Sequence, residues 1–215
     1  MSYIAWLKGP LFLLDLYRPT MDRLLPDSPK NVEDVQCYAI DAPQGLPKIG
    51  RKRRLCDELA QTPTRVLPQT LRELENWKLY KGLIEGGVKT FWGIYNSKTI
   101  KVFGLNDQYE MPVAMETYPR KVAERLGLGR VPSKKKEPVN YMEYAWGFLK
   151  SLGYQCESVI RPALDHVDAM LCALAAQAFV DGQEHWEALG EKPFPDEGAA
   201  ILREGFIVVP RRSHT

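Results

Sequence analysis

The chain has 215 residues, a formal net charge of +2 and 45% hydrophobic residues. This length suits one sizeable core, so we expect a single domain over residues 1–215. The small net charge does not by itself indicate a nucleic-acid-binding protein. No apolar run reaches transmembrane length, and the N-terminus lacks the apolar stretch of a signal peptide. We therefore expect no membrane partner. The four cysteines have no CxxC spacing, which argues against zinc and favours a reduced, cytoplasmic protein.

The first half of the chain is predicted to contain strands and a helix. Residues 3–7 and 10–16 are β-prone and are joined by a Lys-Gly pair, which predicts a hairpin. Residues 35–40 form a short apolar run that stops at Asp41, followed by prolines and a glycine. Buried parallel strands end in this way at the carboxyl edge of an α/β sheet, where sites are usually found. Residues 70–85 have helical periodicity, and Gly86-Gly87 is expected to end that helix.

The second half is predicted to contain further strands and helices. Residues 111–116 are another short strand that ends in an acid, Glu116. Residues 120–126 and 141–152 are predicted helices that stop at Gly127 and Gly153. A long helix is expected over 163–180, then a polar connection, and residues 204–210 resemble a final edge strand ended by Pro210. Alternating strands and helices indicate the α/β class.

Two acids lie at the start of the long predicted helix. Asp165 and Asp168 are one turn apart beside a stripe of apolar residues, so both could point at the edge of a core. Like charges this close repel, and burying them is costly unless a cation or a hydrogen-bond donor sits between them. The simpler interpretation is that acids in a first helical turn interact well with the helix dipole. His166 need not face the same side, and we interpret it as a packing or surface residue.

Two basic runs, residues 51–54 and 134–136, have two interpretations. Arg51, Arg53 and Arg54 follow shortly after Asp41 and could bind the phosphates of a nucleic acid. Short charge clusters are also common in solvated surface loops, which is the alternative for both runs.

Five motifs occur in order along the chain: residues 40–47 (IDAPQGLP), Arg54-x-Cys56-Asp57, residues 116–119 (ETYP), Asp165-x-x-Asp168-Ala169-x-x-Cys172-Ala173, and residues 204–210 (EGFIVVP). Together they resemble the family called domain of unknown function 429, predicted ribonuclease H-like nucleases, and the resemblance covers about residues 35 to 210. The fold that the resemblance implies is a ribonuclease H-like mixed sheet flanked by helices.

The resemblance implies a hydrolase that cleaves phosphodiester bonds in DNA or RNA with Mg²⁺ or Mn²⁺. By this resemblance Asp41 and Asp168 are the principal metal ligands, Asp165 is a supporting ligand, and Glu116 is a ligand or a residue that supports one. The family's first strand carries a further acid, and residues 1–6 resemble the second strand instead. Either the first strand is omitted from this sequence, or the protein has lost it.

Two alternatives remain beside a nuclease. One is a catalytically inactive ribonuclease H-like module that binds nucleic acid or a protein partner, in keeping with the missing first acid. The weaker one is an actin-like nucleotide-binding protein, which would need glycine-rich phosphate loops that Gly86-Gly87 and residues 127–129 do not convincingly provide.

Overall fold

The computed structural model describes residues 2–9, 11–17, 25–26, 35–64, 66–106, 110–129, 131–134, 136–156 and 162–212. Strands and helices alternate along these residues, which confirms the α/β class. The strands are β1 Ser2–Lys8, β2 Leu11–Tyr17, β3 Cys37–Ile40, β4 Lys101–Val102, β5 Val113–Glu116, β6 Gln155–Cys156, β7 Trp186–Asp196 and β8 Ile201–Pro210. The helices are α1 Leu55–Leu59, α2 Leu71–Glu75, α3 Lys81–Ser97, α4 Pro119–Arg125, α5 Pro138–Ser151 and α6 Leu164–Asp181.

The chain divides into two compact units. Unit 1 consists of Met1–Val35, Pro119–Trp186 and Pro210–Thr215, and unit 2 consists of Gln36–Tyr118 and Glu187–Val209. The expectation of a single domain stays a prediction. None of the helices in the described ranges is both long and apolar enough to cross a bilayer.

The described residues of unit 1 form a small mixed sheet and three α-helices. Strands β1 and β2 form the predicted antiparallel hairpin, with Ser2 opposite Tyr17, and β6 pairs with β2 in parallel. Helix α6 packs on β1 and also contacts α4 and α5. The predicted apolar stripe of α6 is buried at Val167, Leu171 and Ala175. The predictions for α4, α5 and α6 are confirmed, and Gly127 and Gly153 follow α4 and α5 with positive φ, the usual way to end a helix.

Unit 2 holds a second sheet in the order β3-β5-β8-β7, with β4 also paired to β5. Strand β5 lies parallel to β3, β4 and β8, and all four of its residues are buried. Strands covered on both faces in this way carry continuous apolar runs. A cluster of buried side chains packs nearby: Leu46, Leu67, Leu74, Ile84, Val88 and Ile201. The described strands therefore pair as two mixed sheets, where one sheet was expected.

The glycine pair at 86–87 does not end a helix, so that prediction was wrong. Helix α3 runs from Lys81 to Ser97 straight through both glycines. A β-carbon at Gly87 would lie 2.6 Å from the carbonyl oxygen of Pro43, whereas nothing lies within 4 Å of one at Gly86. Gly87 therefore permits close packing of α3 on the segment that follows β3, and it does not act as a helix stop.

The final strand was predicted at a sheet edge, and this was also wrong. Strand β8 lies between β5 and β7, and β7 is the end member of the sheet order among the described strands. The segment between the long helix and the final strand was interpreted as a polar, proline-bearing connection, but it contains β7 with Pro193 and Pro195. Those prolines fit an edge strand, since a proline cannot donate to a second neighbouring strand.

Candidate functional site

Two of the predicted acids end neighbouring strands of unit 2. Ile40 pairs with Glu116 in the parallel register of β3 and β5, and the backbone N–H of Thr117 donates to the carbonyl of Ile40 at 3.0 Å. Asp41 and Glu116 therefore lie at the same carboxyl edge of the sheet, as the two strand-end patterns predict. Asp41 is exposed there, whereas Glu116 is buried.

The carboxylate of Glu116 is held by the side chain of Arg54. Nη1 and Nη2 of Arg54 each donate to one oxygen of Glu116 at 2.7 Å. The same guanidinium donates to Asp57, from Nε at 2.8 Å and from Nη2 at 3.1 Å. Arg54 is fully buried, and Asp57 and Glu116 are 2% and 4% exposed. Charge-assisted hydrogen bonds of this kind are roughly twice as strong as those between neutral groups.

Backbone and hydroxyl donors complete this buried cluster. The N–H of Gln44 donates to Glu116 at 2.6 Å, and the hydroxyl of Thr62 donates to Asp57 at 3.0 Å. Burial raises the pKa of Glu116, while Arg54 acts in the opposite direction. Burial alone would lower the pKa of Arg54, but the groups around it raise that pKa well above its ordinary value. Arg54 is therefore a permanent cation inside unit 2.

The donor set Cys56, Asp57 and Glu116 has the spacing of a metal site, because one ligand atom from each lies within 4.8 Å of the others. Its chemistry does not fit an ion. Both carboxylates are already hydrogen bonded to Arg54. Burial raises the pKa of the Cys56 thiol well above its ordinary value, whereas a thiol must lose its proton to bind a metal. The guanidinium occupies the position that a cation would need.

Residues of the basic run 51–54 bind acidic side chains and carbonyl groups of unit 2. Arg51 pairs with Glu191, which also binds Lys48 at 2.6 Å, and Nη2 of Arg53 donates to the carbonyl of Asp57. Arg51 is exposed and Arg53 is half-buried. An internal role accounts for Arg54 better than contact with a phosphate does. Nucleic-acid binding by Arg51 and Arg53 stays a prediction.

The acid pair of α6 lies in unit 1 and binds a lysine. Nζ of Lys134 donates to Asp165 at 2.7 Å and also contacts an oxygen of Asp168. The second oxygen of Asp168 accepts from the hydroxyl of Tyr141, a buried residue of α5. The side chain of Asp165 is 48% exposed and that of Asp168 is 12% exposed. The pair therefore has both the cation and the donor that its close spacing requires.

Sequence reasoning missed both partners of this pair. Lys134 was interpreted as part of a solvated loop or of a phosphate-binding run, and Tyr141 was predicted only as the first residue of a helix. Burial would lower the pKa of Lys134, but Asp168 and Asp165 outweigh it and raise that pKa to about 12. The sequence signal that could have indicated a basic partner was the acid pair itself, because two carboxylates one turn apart on a half-buried face require a positive partner.

His166 has a structural role at the start of α6. Its Nδ1 accepts from the backbone N–H of Ala163 at 3.1 Å, which satisfies an amide ahead of the first turn. Burial lowers the pKa of His166, although Asp15 and Asp165 act in the opposite direction. The lowered pKa favours the neutral ring, and its Nδ1 is occupied by this hydrogen bond.

Asp41 and Glu116 belong to unit 2, and Asp165 and Asp168 belong to unit 1. Convergence of all four acids on one ion stays a prediction. Comparison of the chain with family models, with curated proteins and with solved structures gives no match in any of the three.

Proposed function

We propose that this protein is a divalent-metal-dependent nuclease with a ribonuclease H-like fold, which hydrolyses phosphodiester bonds in DNA or RNA. The observation that carries the proposal is the ammonium of Lys134 bound between Asp165 and Asp168. These two carboxylates already bind one cation in a position that is partly open to solvent. A pair that holds an ammonium in this way is suited to exchange it for Mg²⁺ or Mn²⁺, because carboxylate oxygens are the ligands that such ions prefer.

The residues of unit 1 have separate roles in this proposal. Asp165 and Asp168 would hold the cation in place of Lys134. Tyr141 fixes the orientation of the Asp168 carboxylate through the oxygen that does not contact the lysine, as residues behind metal ligands commonly do. When bound, the metal activates a water and stabilises charge on the phosphate. Asp41, at the sheet edge of unit 2, is proposed as a further ligand.

Glu116 takes a supporting role in this proposal. Its carboxylate is committed to Arg54 and Gln44, so it stabilises the sheet edge at which Asp41 lies. Arg51 and Arg53 are proposed to contact the phosphates of the substrate.

Calorimetric titration with Mn²⁺ tests the proposal. We expect saturable binding by the wild-type protein and loss of that binding in Asp168→Asn and Asp41→Asn, with weaker binding in Asp165→Asn. Lys134→Met removes the competing ammonium, so its Kd for Mn²⁺ should fall by up to about fivefold, because an exposed ion pair contributes about 0.2–1 kcal/mol. Lys136→Met is the matched control, since Lys136 lies two residues further along and is exposed; its Kd should be unchanged.

A folded wild-type protein that binds no Mn²⁺ would contradict the metal site. Equal binding by wild type and Asp168→Asn would show that any bound ion lies elsewhere. Loss of Mn²⁺ binding in Asp168→Asn, together with unchanged Mn²⁺ binding in Asp41→Asn, would restrict the metal site to unit 1. Thermal denaturation of each variant checks that the compared proteins are folded.

A second candidate is the catalytically inactive module that binds nucleic acid or a protein partner. It is favoured by the internal neutralisation of the acids, because Arg54 and Lys134 already supply cations to Glu116 and to the acid pair. This function predicts no saturable Mn²⁺ binding together with retained binding of nucleic acid. The titration therefore separates the two candidates.

A further inference from the structure

An open, shallow cavity of about 410 Å³ lies in unit 1 between the C-terminal half of α5 and strand β6. Its volume falls within the range of small-ligand sites, roughly 300–1,000 Å³. Among the described residues, those that line it include one lysine and no acid. The lining residues are Trp146, Lys150, Gly153, Tyr154, Gln155 and Cys156.

Two aromatic rings form walls of this cavity. Tyr154 packs against the buried Phe12 with 5.3 Å between ring centroids, so its ring is held against the core. Burial and the carboxylate of Asp181 raise the pKa of Tyr154, so its hydroxyl stays protonated at neutral pH. Trp146 is half-buried, and its indole remains partly accessible from the cavity. Ordered, uncharged rings at a solvent-accessible cavity are suited to stacking on a flat ligand.

Polar groups at the same cavity complement the rings. Nζ of Lys150 lies over the ring of Trp146, 5.8 Å from the ring centroid, so this cation already contacts one face of the indole. The exposed Gln155 carries an amide that can both donate and accept hydrogen bonds at the edge of a base. Aromatic faces, a cation and an amide are the groups that bind a base and its adjoining phosphate in single-stranded nucleic acids.

We infer that this cavity binds a nucleobase of a single-stranded nucleic acid, with Trp146 stacked on the base and Lys150 in contact with a phosphate. The inference rests on the proposed function, whose substrate class it narrows to single strands. A base paired in a duplex is stacked between its neighbours and cannot enter such a cavity without being unstacked, which costs a few kcal/mol.

Fluorescence anisotropy with a fluorescein-labelled oligothymidylate tests the inference. We expect saturable binding by the wild-type protein and much weaker binding of a duplex of equal length. Trp146→Ala should raise the Kd for the single strand at least about fivefold, as loss of one stacked base does. Tyr144→Ala is the matched control, because Tyr144 is an exposed aromatic residue of the same helix outside the cavity, and its Kd should be unchanged.

The contact of Lys150 with a phosphate is tested by salt. Lys150→Ala should reduce the slope of log K against log salt concentration by about 0.7, the contribution of one phosphate contact on a single strand. Lys89→Ala, at an exposed lysine of α3 outside both basic runs, should leave the slope as in the wild type. If Trp146→Ala does not fold, the Lys150→Ala slope decides the inference.

The outcomes separate this inference from the proposed function. Equal affinity of Trp146→Ala and wild type, or no binding of the oligonucleotide by wild type, would overturn the cavity assignment. Competition by thymidine monophosphate at the concentration of the oligonucleotide would overturn it in favour of a free nucleotide. Mn²⁺ binding by folded Trp146→Ala should equal that of wild type, so failure of the metal site is recognised independently.

Discussion

Replacement of Arg54 by methionine is expected to lower the free energy of unfolding by about 3–5 kcal/mol at neutral pH. The substitution keeps much of the volume of the side chain but removes all four of its hydrogen bonds to Asp57 and Glu116. Two buried carboxylates would then have no counter-charge, and an uncompensated buried charge is among the most destabilising changes known. Chemical denaturation followed by circular dichroism measures the loss.

Arg51→Met is the matched control for this experiment. Arg51 is in the same basic run, but its side chain is 48% exposed and its ion pairs are screened by solvent. Its substitution should change stability by no more than about 1 kcal/mol. A loss in Arg54→Met no larger than in Arg51→Met would contradict a structural role for the buried guanidinium.

The effect of Arg54→Met should depend on pH. Burial raises the pKa of Glu116 in the folded protein, so the folded state binds this proton more readily than the unfolded chain does. The contribution of Glu116 to the free energy of unfolding is therefore largest at acidic pH, and it falls as the pH rises through the raised pKa. Without Arg54 that pKa rises further, so the deficit of Arg54→Met should be smallest in acid and grow towards neutrality.

A neutral version of the cluster gives an independent check. The triple variant Arg54→Met, Asp57→Asn, Glu116→Gln carries no uncompensated charge and should be more stable than Arg54→Met alone at neutral pH. Because the three residues are in contact, the effects of their substitutions on stability will not be additive. The difference in stability between the triple variant and Arg54→Met measures the coupling between the three residues. A triple variant less stable than Arg54→Met would contradict the electrostatic explanation.

Local patterns predicted the elements that bear the acids. The short apolar run before Asp41 and the one before Glu116 are neighbouring parallel strands, because an acid and a proline after a buried run mark a strand end. Helix α6 follows from apolar spacing over many turns, the most dependable signal in a sequence. The placement of Asp165 and Asp168 on one helix face follows from that periodicity.

The partners of the acids could not be predicted in the same way. Arg54 and Glu116 are 62 positions apart, and Lys134 and Asp168 are 34 apart. Such pairs are set by tertiary packing, which no local spacing encodes. A fully buried arginine at the end of a basic run is also unexpected from composition, since a run of like charges usually lies in solvent. Strand β7 was missed for the opposite reason, because its prolines suggested a break where an edge strand tolerates them.

Alanine substitutions at the two neighbouring glycines of α3 are expected to change the stability of the protein in opposite directions. Gly86→Ala should stabilise the protein by about 0.5–1 kcal/mol, because the new methyl meets nothing within 4 Å and alanine favours the helix. Gly87→Ala should destabilise it by about 1–3 kcal/mol, because its methyl would lie 2.6 Å from the oxygen and 2.9 Å from the nitrogen of Pro43. Backbone atoms cannot rotate away as a flexible side chain can.

Each glycine variant is the control for the other, since they share the helix, the chemical change and the unfolded state. Chemical denaturation of both measures the difference, which should be at least about 1.5 kcal/mol. Equal effects would contradict the close packing of α3 on the segment after β3. Because Pro43 lies two residues beyond Asp41, a shift of this segment in Gly87→Ala should also weaken Mn²⁺ binding if Asp41 is a ligand. Gly86→Ala should leave that binding unchanged, which would separate displacement of Asp41 from a general change in the helix.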